Sequence, residues 1–275
     1  MPIRIITDST CDLPPHLIQR YGLHVIPIFI TLDNQSYRDG LDLSSGEFYS
    51  RLPGLKSLPL TAAPSAAVIE EIFQRYGSEE LVAIFLASKF SSLYHTARQL
   101  GAARGRQIAV IDSGQLSLGL GWQVLAAAEA AAEGRPLAEV VAAAEAARQR
   151  IKVYALLDTL EYVRHGGRVS AFAAALGGLL QIKVDVELVD GDVRPLYKVR
   201  TRHQAIEKLV ELTQALGPLE RVAILHAHRL EDAQALAERV AACASQPPLI
   251  VEASGVVVTH VGPNALGVAA VRASD

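Results

Sequence analysis

Three segments of this chain repeat one pattern: a short β-branched or apolar run stops at a polar, hydroxyl-bearing turn, and a helix-like stretch follows. Ile3-Arg4-Ile5-Ile6 ends at Thr7-Asp8-Ser9, Leu81 to Leu86 ends at Ala87-Ser88, and Gln107 to Ile111 ends at Asp112-Ser113. Strands that alternate with helices restrict the chain to an open, mostly parallel α/β sheet flanked by helices. The nearly all-apolar Leu81 to Leu86 run fits a strand covered on both faces. In such sheets ligands collect at the carboxyl ends of the strands, where these turns lie.

The helix-like stretches are Pro15 to Tyr21, opened by Pro14-Pro15, then Ser65 to Tyr76, with Ala67, Val68, Ile69, Ile72 and Phe73 at helical spacing, and Ser92 to Arg104. His24 to Leu32 reads as one further strand. From Gly121 to Arg150 two Ala-rich helices flank the break Gly134-Arg135-Pro136. After residue 152 the texture changes, and Asp190-Gly191 joins Ile182–Val189 to Val193–Val199 as an antiparallel hairpin. Helices over Gln204–Leu216 and Leu230–Ala244 and strands over Val222–Ala227, Leu249–Val251 and Val256–Thr259 complete the reading. The expected architecture is two α/β domains, 1–152 with a mostly parallel open sheet and 153–275 with a mixed or antiparallel sheet, and a ligand between them.

A chain of 275 residues, half of them apolar, 20% charged and with net charge -3, can bury a sizeable core and carries no basic block for nucleic acid. Cys11 and Cys243 stand in no metal-ligand spacing and suit a reduced intracellular setting. The start Met-Pro-Ile-Arg-Ile-Ile-Thr-Asp lacks the parts of a signal peptide, and no run approaches the ~18 apolar residues of a membrane span. A cytoplasmic protein without cofactor or metal is expected.

The chemically interesting residues lie in separated stretches: Ser9 and Thr10; Thr61 beside Pro64-Ser65; Ser88, Ser91 and Ser92; Ser113; Gly166-Gly167-Arg168; and His260 before Gly262-Pro263. Hydroxyls, one guanidinium and one imidazole suit the holding of an anion, whereas paired carboxylates or Cys/His spacings would suit chemistry done on a substrate. Each cluster also has a plainer structural use. Thr7-Asp8-Ser9-Thr10 suits a turn and helix cap, Ser88 to Ser92 a cap that is equally an anion site, and Gly166-Gly167 a helix end. His226 and His228 share a strand face but have no evident third ligand. Asp8, Asp39, Asp42 and Asp112 are not forced together by anything in the sequence. The Asp8-Ser9 and Asp112-Ser113 turns keep a second function class open, a phosphotransferase or hydrolase for a small anion.

A resemblance then covers essentially the whole chain. Thr7-Asp8-Ser9-Thr10 with Asp12-Leu13, Tyr37 with Asp39-Gly40, Thr61 with Pro64-Ser65, and Ala87-Ser88 through Ser91 to Tyr94 are its first elements. Val110-Ile111-Asp112-Ser113 with Gly119, Leu157-Asp158-Thr159-Leu160-Glu161-Tyr162, Gly166-Gly167-Arg168-Val169-Ser170 and Ile182-Lys183 follow. Lys198-Val199-Arg200-Thr201-Arg202, Thr259-His260, Gly262-Pro263 and Ala265-Leu266-Gly267 close the series. In this order and spacing the chain resembles the DegV family of fatty-acid-binding proteins. The resemblance implies a two-domain α/β protein that holds one long-chain fatty acid, tail in an apolar tunnel and carboxylate at a polar end, without catalysis of its own. It also implies a possible partner, a separate dihydroxyacetone-kinase-like fatty acid kinase subunit that phosphorylates the carboxylate. Carried over by position, Thr61, Ser88 or Ser91, and His260 would hold the carboxylate, Arg168 would act at the head group or in coupling to the kinase, and Ser9, Thr10, Ser113, Gly166 and Gly167 would line the site. The chain departs from the usual family pattern at Ala62-Ala63, Lys89, Ser92 and Val184.

Overall fold

In the computed structural model, which describes residues 3–103, 107–168 and 182–274, three sheets share one continuous interior. Strands β1 (Ile3–Asp8), β2 (His24–Ile26), β6 (Glu80–Phe85) and β7 (Ile108–Asp112) form a wholly parallel sheet in the order β2-β1-β6-β7. The run Leu81–Phe85 is buried throughout, as a central strand with both faces covered must be. The crossovers carry α1 (Pro15–Arg20), α3 (Ala66–Arg75) and α4 (Leu93–Ala103). The three polar turns thus end on adjacent strands and are stitched to one another, Ser113 N–H donating to Phe85 O and Ala87 N–H to Gln115 O.

The expected strand over His24–Leu32 is two strands in different sheets, because Pro27 cannot donate to a ladder and breaks the run. Its second half, β3 (Phe29–Leu32), is the centre of a three-stranded antiparallel sheet with β4 (Gln35–Arg38) and β5 (Leu60–Ala62). Between β4 and β5 lies α2 (Ser45–Arg51), started by a capping box of Ser44 and Glu47.

The Ala-rich helices α5 (Leu118–Ala132) and α6 (Leu137–Arg150) connect the parallel sheet to a six-stranded one. That sheet has the order β10-β9-β8-β13-β11-β12, built from β8 (Ile151–Leu157), β9 (Lys183–Val189), β10 (Asp192–Val199), β11 (Leu219–His226), β12 (Leu249–Glu252) and β13 (Leu266–Arg272). All its pairs are antiparallel except β11 with β12. Asp190 and Gly191 both take positive φ, as the two-residue hairpin requires. One face of this sheet is covered by α8 (Arg202–Gln214) and α9 (Leu230–Val240). The other face turns toward α5, whose Trp122 donates from Nε1 to Ala269 O, and the core that results runs from Ile5 to Val271.

The β-branched run Val256–Thr259, expected as a strand, is instead the interior of a helix, α10 (Gly255–Val261). Ser254 caps its start by accepting from Val257 N–H, and Thr259 returns its hydroxyl to Gly255 O. Val256, Val257 and Val258 are all buried, and burial on every side overrides the weak helix preference of valine. β13, which has no strand signal of its own in the sequence, lies between β8 and β11 in the middle of the sheet. Among the described residues no helix is long and apolar enough to cross a membrane.

Candidate functional site

Helix α10 meets the parallel sheet's carboxyl side, and two cavities adjoin there, sharing Phe90, Leu116, Val257 and Val261 as a common waist. The smaller, of about 40 Å³, is polar at one end, where Thr61, Ser91, Arg168 and His260 converge from four parts of the chain. The larger, of about 80 Å³, lies over the inner face of the six-stranded sheet and is almost wholly apolar.

Each polar side chain is delivered by a different local device. Thr61 stands on β5, paired with Ile30 of the three-stranded sheet. Ser91 precedes α4, and its hydroxyl oxygen accepts from Leu93 N–H at 3.2 Å, so its own proton is left to donate outward. His260 comes from the last turn of α10, three and four residues away from the lining residues Val256 and Val257, hence on the same helix face. Its Nε2 lies 2.8 Å from Thr61 Oγ1. In the tautomer with the proton on Nε2, the imidazole donates to Thr61 and frees the threonine proton for an anion.

Burial, and next to it the positive Arg168, pushes the His260 imidazole down to about 4, so it is neutral at ordinary pH. Its Nδ1 has no hydrogen-bond partner and rests against Gly166, where a Cβ would fall 2.3 Å from that nitrogen. Glycine at 166 is therefore what lets the ring sit where it does. Gly167 follows at φ +70°, the left-handed region, and the chain then turns Arg168 back toward the cavity. Arg168 donates from Nε to Phe90 O at 3.0 Å and from Nη1 to Gly166 O at 2.8 Å. Among the described residues it makes no ion pair, and burial lowers its pKa. A half-buried guanidinium bonded only to carbonyls, beside two hydroxyls and a neutral imidazole, is suited to an anion.

The remaining expected site residues lie apart from this cavity. Ser88 is not in its wall; its N–H donates to Asp112 Oδ1 at 3.1 Å. Ser9 accepts from Ile28 N–H, Thr10 bonds Asp8, and Ser113 closes a turn with Gln115. The Asp-Ser turns of the alternative enzyme reading are likewise consumed. Asp8 accepts from Thr10 N–H and Thr10 Oγ1 on one oxygen and from Leu86 N–H on the other, and Asp112 accepts from Ser88 and Gly114 N–H. Val169 and Ser170 lie outside the described residues.

Three carboxylates do gather, only two of them among the four aspartates considered from the sequence. Asp8, Asp12 and Asp39 are buried together, while Asp42 pairs with Arg38 on the surface and Asp112 closes its turn. Burial, with the neighbouring carboxylates, raises Asp12 to about 6 and Asp39 to about 7. Asp12 accepts from Ser254 N–H, at the cap of α10, and from the Ser117 hydroxyl, at the start of α5. In the sequence Asp12 stands out only as part of the Asp12-Leu13 element of the resemblance, and nothing there points to these two partners. Asp158, Lys183 and Arg202, also in the quoted motifs, form an ion cluster with Asp232 and not part of the cavity. His226 caps the Arg229 turn while His228 stacks on Tyr49, and among the described residues no three potential ligands meet to hold a metal.

Comparison with known proteins agrees with this architecture. Residues 2–273 match the family model described as uncharacterised protein, DegV family, and the chain belongs to that family. A DegV domain-containing protein of Caldanaerobacter subterraneus subsp. tengcongensis is 34% identical over 97% of each chain. Among solved structures, a DegV family protein from Thermus thermophilus described by its fatty acid binding superposes with a TM-score of 0.91 at 28% identity, covering 99% of this chain and 100% of that one. DegV, a fatty acid binding protein from Bacillus subtilis, gives 0.88 at 26% identity with the same coverage.

Proposed function

We propose that this protein is a cytoplasmic carrier of one long-chain fatty acid, with the carboxylate against Thr61, Ser91, His260 and Arg168 and the tail in the apolar cavity beyond Phe90 and Leu116. The observation that carries the reading is Arg168, a half-buried cation without a carboxylate partner among the described residues, facing a polar pocket that opens into an aliphatic one. The fatty acid binding of the Thermus thermophilus and Bacillus subtilis relatives supports it. Segments 1–152 and 153–275 are the two lobes that enclose the ligand in this reading. The acid is handed with its carboxylate outermost to a separate fatty acid kinase, His260 and Arg168 orienting the head group and offsetting charge on an acyl-phosphate.

The carrier itself performs no chemistry. Thr61 and His260 have the spacing of a nucleophile and its base, but the imidazole at about 4 is a weak base and its Nδ1 lacks the group that would orient it. Native mass spectrometry of gently purified protein tests the reading. One fatty acid per chain is expected, and a ligand-free chain that takes up no added palmitate would overturn it.

A further inference from the structure

The apolar cavity has a floor whose composition bears on which acyl chains fit. Strand register aligns Val186, Ala155, Gly267 and Leu225 in one row across β9, β8, β13 and β11, and all four line the cavity. Three strand gaps of about 4.8 Å make the row about 14 Å long. Its two central members are its smallest, so the floor dips between Val186 and Leu225. Val257 and Val261 of α10 and Leu116 form the roof.

Gly267 is the residue that needs explaining. Glycine in the interior of a strand is costly, and here it sits in a central strand paired on both sides. Neither a turn nor a bulge calls for it. The ladder runs through Gly267 to both neighbours without a bulge, and its φ is not positive. A Cβ built there would approach Tyr154 O at 3.2 Å and Leu225 Cβ at 3.6 Å, atoms of the flanking strands, with no helix or loop backbone pressed against it. Leu266 and Val268 pack into the core on the other face, Leu266 also bordering the cavity, and Gly267 is in register with the lining residues Ala155 and Leu225, so its missing side chain points into the cavity. Beyond that one tight carbonyl contact, an occupant of the cavity that approaches the strand closely accounts for the glycine.

We infer that Gly267 and Ala155 are specificity-determining residues for the acyl chain: the dip they leave carries the distal part of a straight hydrocarbon tail across the strands. The ligand class is thereby narrowed to acids whose tail is long enough to reach past Ala155 toward Leu225. This rests on the fatty-acid reading above, and the test separates the two. Gly267→Ala and, independently, Ala155→Val are compared with the wild type by displacement of a fluorescent fatty acid with octanoate, laurate, palmitate and stearate. Octanoate and laurate should bind as to the wild type, while palmitate and stearate lose about fourfold for each methylene excluded, roughly tenfold or more in all. The ligand-free variants should stay folded with melting temperatures within a few degrees of the wild type, since the added Cβ at position 267 meets only one tight contact, Tyr154 O at 3.2 Å. A parallel loss at every chain length with a lowered melting temperature, or no loss at any length in either variant, overturns the inference while leaving fatty acid binding standing. A wild type that binds none of the four acids overturns both.

Discussion

The polar residues at the ends of β1 and β7 and those around Arg168 both include Ser and Thr hydroxyls but differ in what their hydrogen-bonding groups have left to give. Asp8 and Asp112 spend their oxygens on main-chain N–H groups and on Thr10, and Ser113 is closed on Gln115. Around the cavity, among the described residues, Ser91 keeps a free proton, His260 an unpaired nitrogen and Arg168 a charge without a counter-charge. A polar cluster that satisfies itself holds a fold together, whereas one with donors to spare is prepared for a ligand. The buried carboxylates Asp8, Asp12 and Asp39 stand on the first side of that divide.

The sharpest way to break the comparison is Asp8→Ala. It orphans two buried N–H groups and the Thr10 hydroxyl, at about 1–3 kcal/mol each where no water replaces the carboxylate. Chemical denaturation should show a loss of about 3 kcal/mol or more, with the fatty acid affinity of the folded protein unchanged. Affinity falling in step would erase the distinction.

Protonation gives a second approach. Asp12, Asp39 and Asp185 have folded-state pKa values of about 6, 7 and 7, all raised chiefly by burial. In the folded state they keep protons that the unfolded chain releases, so their contribution is full below about pH 4 and is lost as pH rises through 6 to 7. His260, depressed to about 4, acts in the opposite sense, its contribution being full above about 6.5 and lost as pH falls through 4. The double substitution Asp39→Asn, Asp185→Asn should flatten the decline of stability between pH 5 and 8 by about 5 kcal/mol in urea melts, about half from each site. An undiminished slope would place the titration elsewhere.

Effects on the ligand should be of similar or smaller size. Thr61→Ala and Arg168→Ala each remove a donor to a charged group and should weaken fatty acid binding by about 1.5–3 kcal/mol, roughly tenfold or more, with little change in melting temperature. Ser91→Ala belongs with them. Ser88→Ala should alter affinity by less than about 0.5 kcal/mol, since Ser88 is outside the cavity wall. Equal effects at Ser88 and Ser91 would redraw the pocket.

Much of this was legible in the chain. Parallel strands ending in polar turns, the Asp190-Gly191 hairpin and the Ala-rich helices follow from local pattern, and Thr61, Ser91, Arg168 and His260 were singled out before their meeting was visible. Three things were not. Val256–Thr259 reads as strand because β-branched residues do so locally, and only burial between the sheets makes it the helix that positions His260. β13 is hidden by Gly267 and its alanines, which are weak strand formers held by two partners far away in sequence. Asp12 gains its place from Ser117 and Ser254, which stand 105 and 242 positions along the chain from it.

The central claim, a fatty acid carboxylate held against Arg168, is tested most directly by carbon-13 NMR of a carboxyl-labelled palmitate bound to the protein. A carboxylate beside this cation and the hydroxyls should give one sharp bound resonance that stays ionised well below the usual carboxylate range, and Arg168→Ala should move its titration upward. A bound acid whose carboxyl titrates identically in the two proteins would contradict the assignment of Arg168 to the head group.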